Sequence, residues 1–187
     1  LWGFSYSRNS FAASASLIDK FVERNDPRAP QAFIEPDPTG YIVYGYGGDQ
    51  ATDIESINFA PNGTPDEVQN IYGMSMALWA ITTPTQLISY HEVKFLEAEA
   101  LCLLGRNNES EAAVKEAGIA GFANTQNMLI DATENWVGGE VNLGADVAED
   151  YFEKSVKPLF AVNPLKETMI QKYLSFFGAS GESTEAD

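Results

Sequence analysis

Residues 89–105 read S-Y-H-E-V-K-F-L-E-A-E-A-L-C-L-L-G and decide the fold. The stretch predicts an α-helix that is apolar almost all round, and such a helix is expected to be buried. Glu92 and Glu99 lie seven residues apart, which is about two helical turns, so their carboxylates share one face. A buried carboxylate needs hydrogen-bond donors, and we therefore expect Glu92 and Glu99 to have structural roles in a packed helical scaffold.

A second helix is predicted directly after the first, because Gly105 is a favoured residue just past a helix end. Asn108 to Glu111 resemble a capping box, and the second helix should continue to about Ala123. Two helices with so short a connector lie antiparallel. The pair resembles one tetratricopeptide-type unit, although no repeat of that period recurs in the chain.

Further helices are predicted on both sides of this hairpin. The apolar spacing of residues 10–24 indicates a helix that stops before Pro27. A short helix is expected over 125–134, and another over 145–160 that Pro158 should kink or end. Asn163 should cap a last helix that starts at Pro164 and ends by Gly178.

The chain divides into four parts within a single partial domain. A helix over 1–24 is followed by a loop-rich region over 25–88, a helical region over 89–178 and an acidic tail over 179–187. The loop-rich region holds most of the nine prolines, with short strands predicted at Tyr41–Tyr44 and, more weakly, at Leu87–Ile88. Loops of this length are usually functional. The predicted fold class is all-α, with tetratricopeptide-like hairpins, long irregular loops and a few short strands.

Composition excludes several functions. With 11 Lys and Arg against 27 Asp and Glu, the formal charge is −16, which argues against binding nucleic acid or an anionic membrane surface. One cysteine, Cys102, permits no disulfide within the chain, and one histidine, His91, permits no multi-histidine zinc site. No stretch reaches the roughly 18 apolar residues of a transmembrane helix.

Motifs typical of catalysis, cofactor binding and metal binding are incomplete in this sequence. The stretch H-E-V-K-F lacks the second histidine of H-E-x-x-H, and G-Y-G-G-D at 45–49 does not continue as a phosphate loop. Asp49, Asp53 and Glu55 could hold Ca²⁺ only with backbone carbonyls, and a solvated acidic loop is the simpler interpretation. The pairs Glu97/Glu99 and Glu92/Glu99 lie on a scaffold helix, where structural roles are favoured over glycoside hydrolysis. We therefore predict no catalytic residues, no metal and no cofactor.

Five aromatic residues of the loop-rich region are candidates for ligand binding. Aromatic faces stack on the C–H faces of sugar rings, as a special case of aromatic packing. The alternative is that these residues form the core of the loop region. The candidates are Tyr41, Tyr44, Tyr46, Tyr72 and Trp79.

Three stretches in a fixed order carry a family resemblance. They are N-D-P-R-A-P at 25–30, P-T-Q-L-I-S-Y-H-E-V-K-F-L-E-A-E-A at 84–100 and I-Q-K-Y-L-S-F-F-G at 170–178. Together they resemble the SusD/RagB-like family, the surface nutrient-binding lipoproteins of Bacteroidetes. Family members are much longer, and the chain resembles their C-terminal portion. The lipid-anchored cysteine of the family is absent from this chain, because Cys102 lies in the middle of a predicted helix.

The resemblance implies a tetratricopeptide-like fold and no catalysis. It implies glycan binding at the cell outer membrane, in a surface-exposed lipoprotein that delivers nutrient to a SusC-type TonB-dependent transporter. A peptide-binding receptor on the same scaffold, or a helical protein-interaction module without a small ligand, are the alternatives. In the family the ligand lies on aromatic residues carried by loops. One such loop region corresponds here to residues 31–88, which contain all five candidates, and the resemblance does not decide among them.

Arg28 is the third residue expected to be structural. It lies between Pro27 and Pro30, so a stiff loop holds it in place. We expect it to pair with a buried carboxylate, Glu99 or Glu92, and so to dock the loop on the helix of residues 89–105.

Overall fold

The computed structural model describes residues 12–35, 53–63, 71–76, 80, 82, 87–134 and 139–177. Helices dominate these ranges, which confirms the predicted all-α fold class. In chain order the helices are α1 (Ala15–Val22), α2 (Ala29–Ala32), α3 (Tyr90–Leu103), α4 (Asn107–Glu134), α5 (Ala145–Tyr151), α6 (Lys157–Val162) and α7 (Pro164–Phe176). None of the described helices is both long enough and apolar enough to cross a membrane.

The α3–α4 hairpin is the centre of the fold, and local signals set its ends. The Ser89 side chain accepts a hydrogen bond from the Glu92 backbone N–H at 3.1 Å, which caps α3. Gly105 has a φ of 73°. The N–H groups of Gly105 and Arg106 donate to the carbonyls of Cys102 and Leu101, which is the Schellman arrangement that ends a helix. The chain therefore turns back at the predicted position.

Burial of α3 differs from the expectation. Its inner side is buried through His91, Phe95, Ala98 and Leu101 and packs on α4 and α7. Its outer side carries large apolar residues that are exposed, among them Leu96 and Leu103. The prediction of all-round burial is wrong, because the hairpin covers only the side of α3 that points at its neighbours.

Helix α4 runs unbroken over 28 residues, so the two separate helices predicted up to Ala123 and over 125–134 are one. It begins at Asn107, which places Asn108 inside the helix. The Ser110 hydroxyl donates to the Ala98 carbonyl at 2.8 Å and ties the hairpin together. Gly121 lets α7 approach closely, since a Cβ at this position would lie 3.0 Å from the Ser175 hydroxyl oxygen.

The segment from Ala145 to Val162 is helical throughout, two residues longer than the predicted 145–160, and Pro158 does not end it. A π-helical turn over Phe152–Val156 joins α5 to α6, and Pro158 follows it in the first turn of α6. Proline cannot donate to the carbonyl four residues before it, and a local π-turn is one way for a helix to continue past that gap. The cap of α7 is as predicted, because Asn163 accepts from the Lys166 N–H at 3.1 Å.

The described strands are few and short. β1 (Phe33–Ile34) pairs antiparallel with β2 (Met74–Ser75), with Phe33 opposite Ser75. The strand predicted at Leu87–Ile88 is wrong: these residues form a bend before α3 and are 92% and 75% exposed. The strand predicted at Tyr41–Tyr44 lies outside the described residues.

The buried imidazole of His91 gives a prediction for the pH dependence of stability. Burial lowers the pKa of His91 below 6.5, and the nearby Arg28 lowers it further, although Glu92 opposes the shift. The unfolded chain therefore binds more protons than the folded one below about pH 6.5. The stability that neutral His91 contributes should be fully present above that pH. It should be lost as the pH falls through the folded pKa, by at most about 1.4 kcal/mol per pH unit.

Urea unfolding of the wild type and of His91→Phe at pH 7.5, 6.5 and 5.5 checks this. The substitution keeps an aromatic ring next to Phe176, whose centroid lies 6.1 Å from that of His91. The free energy of unfolding of His91→Phe should fall less on acidification than that of the wild type. Parallel curves for the two proteins would show that His91 does not titrate with unfolding.

Candidate functional site

The loop-rich region is attached to the start of α1 by backbone hydrogen bonds. The Ala13 N–H donates to the Gly73 carbonyl and the Ala15 N–H to the Ala60 carbonyl, both at 2.8 Å. The Gly73 N–H in turn donates to the Asn58 carbonyl at 2.8 Å. Segments 53–63 and 71–76 therefore form one layer, called here the loop platform, which lies against the N-terminal end of α1.

Tyr72 is the only one of the five candidate aromatics within the described residues. It is half-buried in the loop platform, two residues before β2. Tyr41, Tyr44, Tyr46 and Trp79 lie outside the described residues. Ligand contact by any of the five therefore stays a prediction.

The backbone beside Tyr72 is closely packed. A Cβ at Gly73 would lie 2.6 Å from Phe59 Cε1 and 2.8 Å from Ile57 Cγ2. Only glycine allows the backbone just before β2 to pass these two side chains without a shift. The backbone next to Tyr72 is therefore held close to Phe59 and Ile57.

Four phenylalanines join the platform to the helices. Phe33 of β1 packs edge-to-face on Phe59 of the platform, with centroids 5.7 Å apart. It also lies 5.9 Å from Phe21 of α1 and 5.0 Å from Phe177, just after α7. Such contacts add to the burial of the rings. Phe21 and Phe33 are buried core residues, and Phe59 and Phe177 are partly buried against them.

Two polar residues of the loop platform, Asn62 and Asp53, have different environments. Asn62 is exposed, and its side-chain oxygen accepts from the Ser14 hydroxyl at 2.9 Å, which ties the platform to α1. Asp53 is exposed, and its backbone carbonyl accepts from the Ser56 hydroxyl at 2.8 Å. The Asp53 carboxylate therefore faces solvent at the edge of the platform.

Arg28 is fully buried and paired, but not with the expected carboxylate. Asp26 Oδ2 accepts from Arg28 Nη2 at 2.6 Å, and Asp26 Oδ1 accepts from Arg28 Nε at 2.9 Å. Arg28 Nη1 donates to the Leu174 carbonyl of α7 at 3.3 Å, and the guanidinium lies 4.5 Å from the Phe122 ring centroid. The expected pairing with Glu92 or Glu99 is wrong, because the carboxylate two residues away already satisfies the guanidinium.

A second buried ion pair lies beside the first. Arg24 Nε and Nη2 donate to Glu167 Oε1 and Oε2 at 3.0 and 2.9 Å. Gln171 bridges onward, donating to Glu167 Oε1 at 2.9 Å and to the Tyr151 hydroxyl at 3.0 Å. Burial raises the pKa of Tyr151 well above its usual value, with a further contribution from Asp26, so the phenol stays neutral. The turn after α1 is thus held on α7 by two arginines.

Glu92 and Glu99 lie on the half-buried flank of α3. Glu99 Oε2 accepts from Lys172 Nζ at 2.9 Å, which ties α3 to α7 rather than to a loop. The backbone of Glu92 takes part in the Ser89 cap. Glu97 pairs with Lys94 at 2.8 Å. Of the carboxylates considered for glycoside hydrolysis, Glu97 is thus engaged in an ion pair within α3 and Glu99 in one between α3 and α7.

Several residues of this framework escape prediction from sequence. Glu167 lies in the first turn of α7, where an acidic residue usually interacts with the helix dipole. Its carboxylate instead pairs with Arg24, far away in the chain. Asp131 of α4 accepts from the Thr82 backbone N–H at 2.8 Å and from its hydroxyl at 2.5 Å. For Asp131 the available signal is its charge among the apolar residues Met128, Leu129 and Ala132, whereas the buried face of Glu167 also carries Thr168 and Gln171 and gives no such signal.

No group of three or more His, Cys, Asp or Glu side chains that could hold a metal ion occurs in the part of the chain that the structure describes. Cys102 is half-buried, with its Sγ 3.0 Å from the Ser110 hydroxyl oxygen. Its place inside α3 is the one predicted.

The structure defines an all-α protein of helical-hairpin type with a loop platform docked on it. A family model described as "Starch-binding associating with outer membrane" matches residues 2–183. The chain belongs to this SusD-like family, as the three sequence stretches predicted.

A solved structure gives the same assignment. The chain is 43% identical to a SusD/RagB family protein from Bacteroides thetaiotaomicron VPI-5482, with a TM-score of 0.83. The match covers 99% of this chain and 39% of that chain, so this chain spans well under half the length of its solved relative. The comparison with curated proteins gives no match.

Breaking the buried pair of Arg28 should be strongly destabilising. Arg28→Met leaves the Asp26 carboxylate buried without its cation, at a cost of about 3–5 kcal/mol in the free energy of unfolding. The double variant Asp26→Leu/Arg28→Met removes both charges and should recover part of that loss. Urea unfolding at pH 7 measures both.

Arg106→Met is the matched control for Arg28→Met. Arg106 also pairs with a nearby carboxylate, that of Glu109, but both side chains are more than half exposed. Its loss should change stability little. Equal effects of Arg28→Met and Arg106→Met would contradict the importance given to the buried pair.

Gly73→Ala tests the close packing beneath Tyr72. The added methyl group should force Phe59 and Ile57 to move, lowering the free energy of unfolding by about 1–3 kcal/mol. Gly118→Ala is the control, because a Cβ there meets nothing within 4 Å and lies in the middle of α4. That change should stabilise by about 0.5–1 kcal/mol. Urea unfolding measures both variants. A change in the free energy of unfolding in the same direction for both would contradict the prediction.

Proposed function

We propose that this chain is the C-terminal portion of a non-enzymatic receptor that binds glycans at the bacterial cell surface. The match of residues 2–183 to a family described as starch-binding and associated with the outer membrane carries the proposal. Its full-length form would act as a surface-exposed lipoprotein, with its lipid anchor supplied from outside these residues.

The character of the loop platform supports a sugar ligand. Starch is uncharged, so a net charge of −16 does not oppose its binding as it would oppose binding of a polyanion. An exposed carboxylate such as that of Asp53 can accept hydrogen bonds from sugar hydroxyls. Tyr72 is half-buried, so part of its side chain remains open to a ligand while the platform holds its backbone. Stacking on a held ring loses little side-chain entropy on binding.

The proposed partner is a SusC-type TonB-dependent transporter, to which the receptor would deliver its glycan. This step rests on the family assignment rather than on any described surface. A gene for such a transporter beside the gene for this protein would support it.

Isothermal titration calorimetry of the full-length protein with soluble starch and maltooligosaccharides tests glycan binding. Binding should release heat, and Tyr72→Ala should weaken it. Loss of one stacking residue is worth about 0.5–1.5 kcal/mol, which corresponds to about a 2- to 12-fold rise in Kd. Trp79→Ala and Tyr46→Ala, tested in the same way, assign the other candidates.

Tyr90→Ala is the matched control for Tyr72→Ala. Tyr90 is 62% exposed on α3, outside the loop-rich region, and its removal should leave the Kd unchanged. Absence of heat with starch and with a panel of other polysaccharides would refute the glycan proposal. Heat with peptides alone would point to a peptide receptor on the same scaffold.

A further inference from the structure

An asparagine followed by a glycine lies at the edge of the loop platform, next to the start of α1. Asn62 is the only asparagine of the sequence with glycine after it. Both residues are exposed. Gly63 has a φ of 83°, in the left-handed region that favours glycine, and a Cβ added to it would meet nothing within 4 Å. The backbone of Gly63 is therefore uncrowded and open to water.

Such a pair of residues can react within itself. Attack of the Gly63 backbone nitrogen on Asn62 Cγ closes a succinimide ring. The N–Cγ bond forms and the Cγ–Nδ2 bond breaks, so that the side-chain nitrogen leaves as ammonia with the proton that the Gly63 nitrogen loses. Water then opens the ring. Breaking the new N–Cγ bond gives aspartate, and breaking the bond to the Asn62 backbone carbonyl carbon gives isoaspartate.

Two hydroxyl groups are placed where the first step develops negative charge. The Asn62 side-chain oxygen accepts from the Ser14 hydroxyl at 2.9 Å and from the Ser16 hydroxyl at 3.3 Å. Attack at Cγ converts this oxygen into an oxyanion, and donors already directed at it stabilise the charge. Ser14 precedes α1, yet its side chain makes no cap hydrogen bond. Its hydroxyl therefore serves Asn62 rather than the backbone of the helix.

The same surroundings suit the carboxylate that the reaction produces. The start of a helix favours negative charge, and the first turn of α1 holds no acidic residue that would repel it. A carboxylate oxygen accepts from a hydroxyl as an amide oxygen does. Aspartate at position 62 would therefore keep the hydrogen bond from Ser14 and add one negative charge to the edge of the platform.

We propose that Asn62 is a site of spontaneous deamidation, activated by the hydroxyls of Ser14 and Ser16. Conversion to aspartate leaves the tie between the platform and α1 in place. Conversion to isoaspartate routes the backbone through Cγ, which lengthens the chain by one carbon before Gly63 and removes that tie. The platform stays docked in either case, because the Ala15 N–H donates to the Ala60 carbonyl at 2.8 Å and the Ala60 N–H to the Ala13 carbonyl at 2.9 Å.

Peptide mapping by mass spectrometry, after incubation of the full-length protein at pH 8, tests the proposal. The change in mass from amide to acid is followed at each asparagine, and enzymatic methylation of isoaspartate counts that product. Asn62 should convert to both products. Asn142 is the internal control, because it is also exposed but is followed by Leu143, whose side chain hinders ring closure. It should stay unconverted while Asn62 reacts.

The role of the hydroxyls is tested with serine variants. Ser14→Ala should slow the reaction at Asn62 by about 2- to 12-fold, the effect of one lost hydrogen-bond donor on a rate. Ser14→Thr keeps a hydroxyl and should react at close to the wild-type rate. Ser56→Ala is the matched control in the platform, because the Ser56 hydroxyl donates to the Asp53 carbonyl instead, and it should leave the rate unchanged.

Three results would overturn the proposal: no conversion at Asn62, equal conversion at Asn62 and Asn142, or a Ser14→Ala variant that reacts as fast as the wild type or faster. Circular dichroism before and after incubation confirms that each variant is folded, and equal slowing in Ser14→Ala and Ser14→Thr would also count against activation by the hydroxyl. Glycan binding is a separate measurement, and its failure would leave this inference untouched.

Discussion

The buried salt bridge between Asp26 and Arg28 is the constraint on which the arrangement of helices and loops depends. Both side chains are almost completely removed from water, so each ion needs the other and the polar atoms around it. Arg28 also donates to the Leu174 carbonyl, 146 residues further along the chain. The D-P-R turn thereby fixes α1 against α7. β1 begins five residues after Arg28 and pairs with β2 of the loop platform, so the same contacts help to position the platform.

The helix ends could be predicted because their causes are local. Ser89 and Gly105 act on backbone groups within four residues of themselves, and the same is true of Asn163 at the start of α7. Both partners of each such hydrogen bond lie within one short window of sequence. The family resemblance likewise depends on short stretches, and their described residues, 25–30, 87–100 and 170–177, lie at these turns and helices.

Tertiary partners could not be predicted in the same way. The chain has many carboxylates that could pair with Arg28. Nothing in the sequence shows that Asp26, two residues away, is the one buried with it. The continuity of α4 past Ala123 depends on burial of Met128, Leu129 and Ala132 by other elements, which composition does not reveal. For the candidate ligand site, the sequence predicts a segment and residue types, and among the five aromatics the described residues add the setting of Tyr72 alone.

The two apolar faces of α3 explain why the burial of the stretch that decides the fold was predicted wrongly. Periodicity distinguishes an apolar face from a polar one, but it cannot distinguish a helix buried within one unit from a helix placed between two. In the described residues α3 has a neighbour on one side only, so half of its apolar surface faces water. The buried arginines act at the other end of the fold, where Arg24 and Arg28 hold the turn after α1 on α7 and so fix the helices from which the loop platform is suspended.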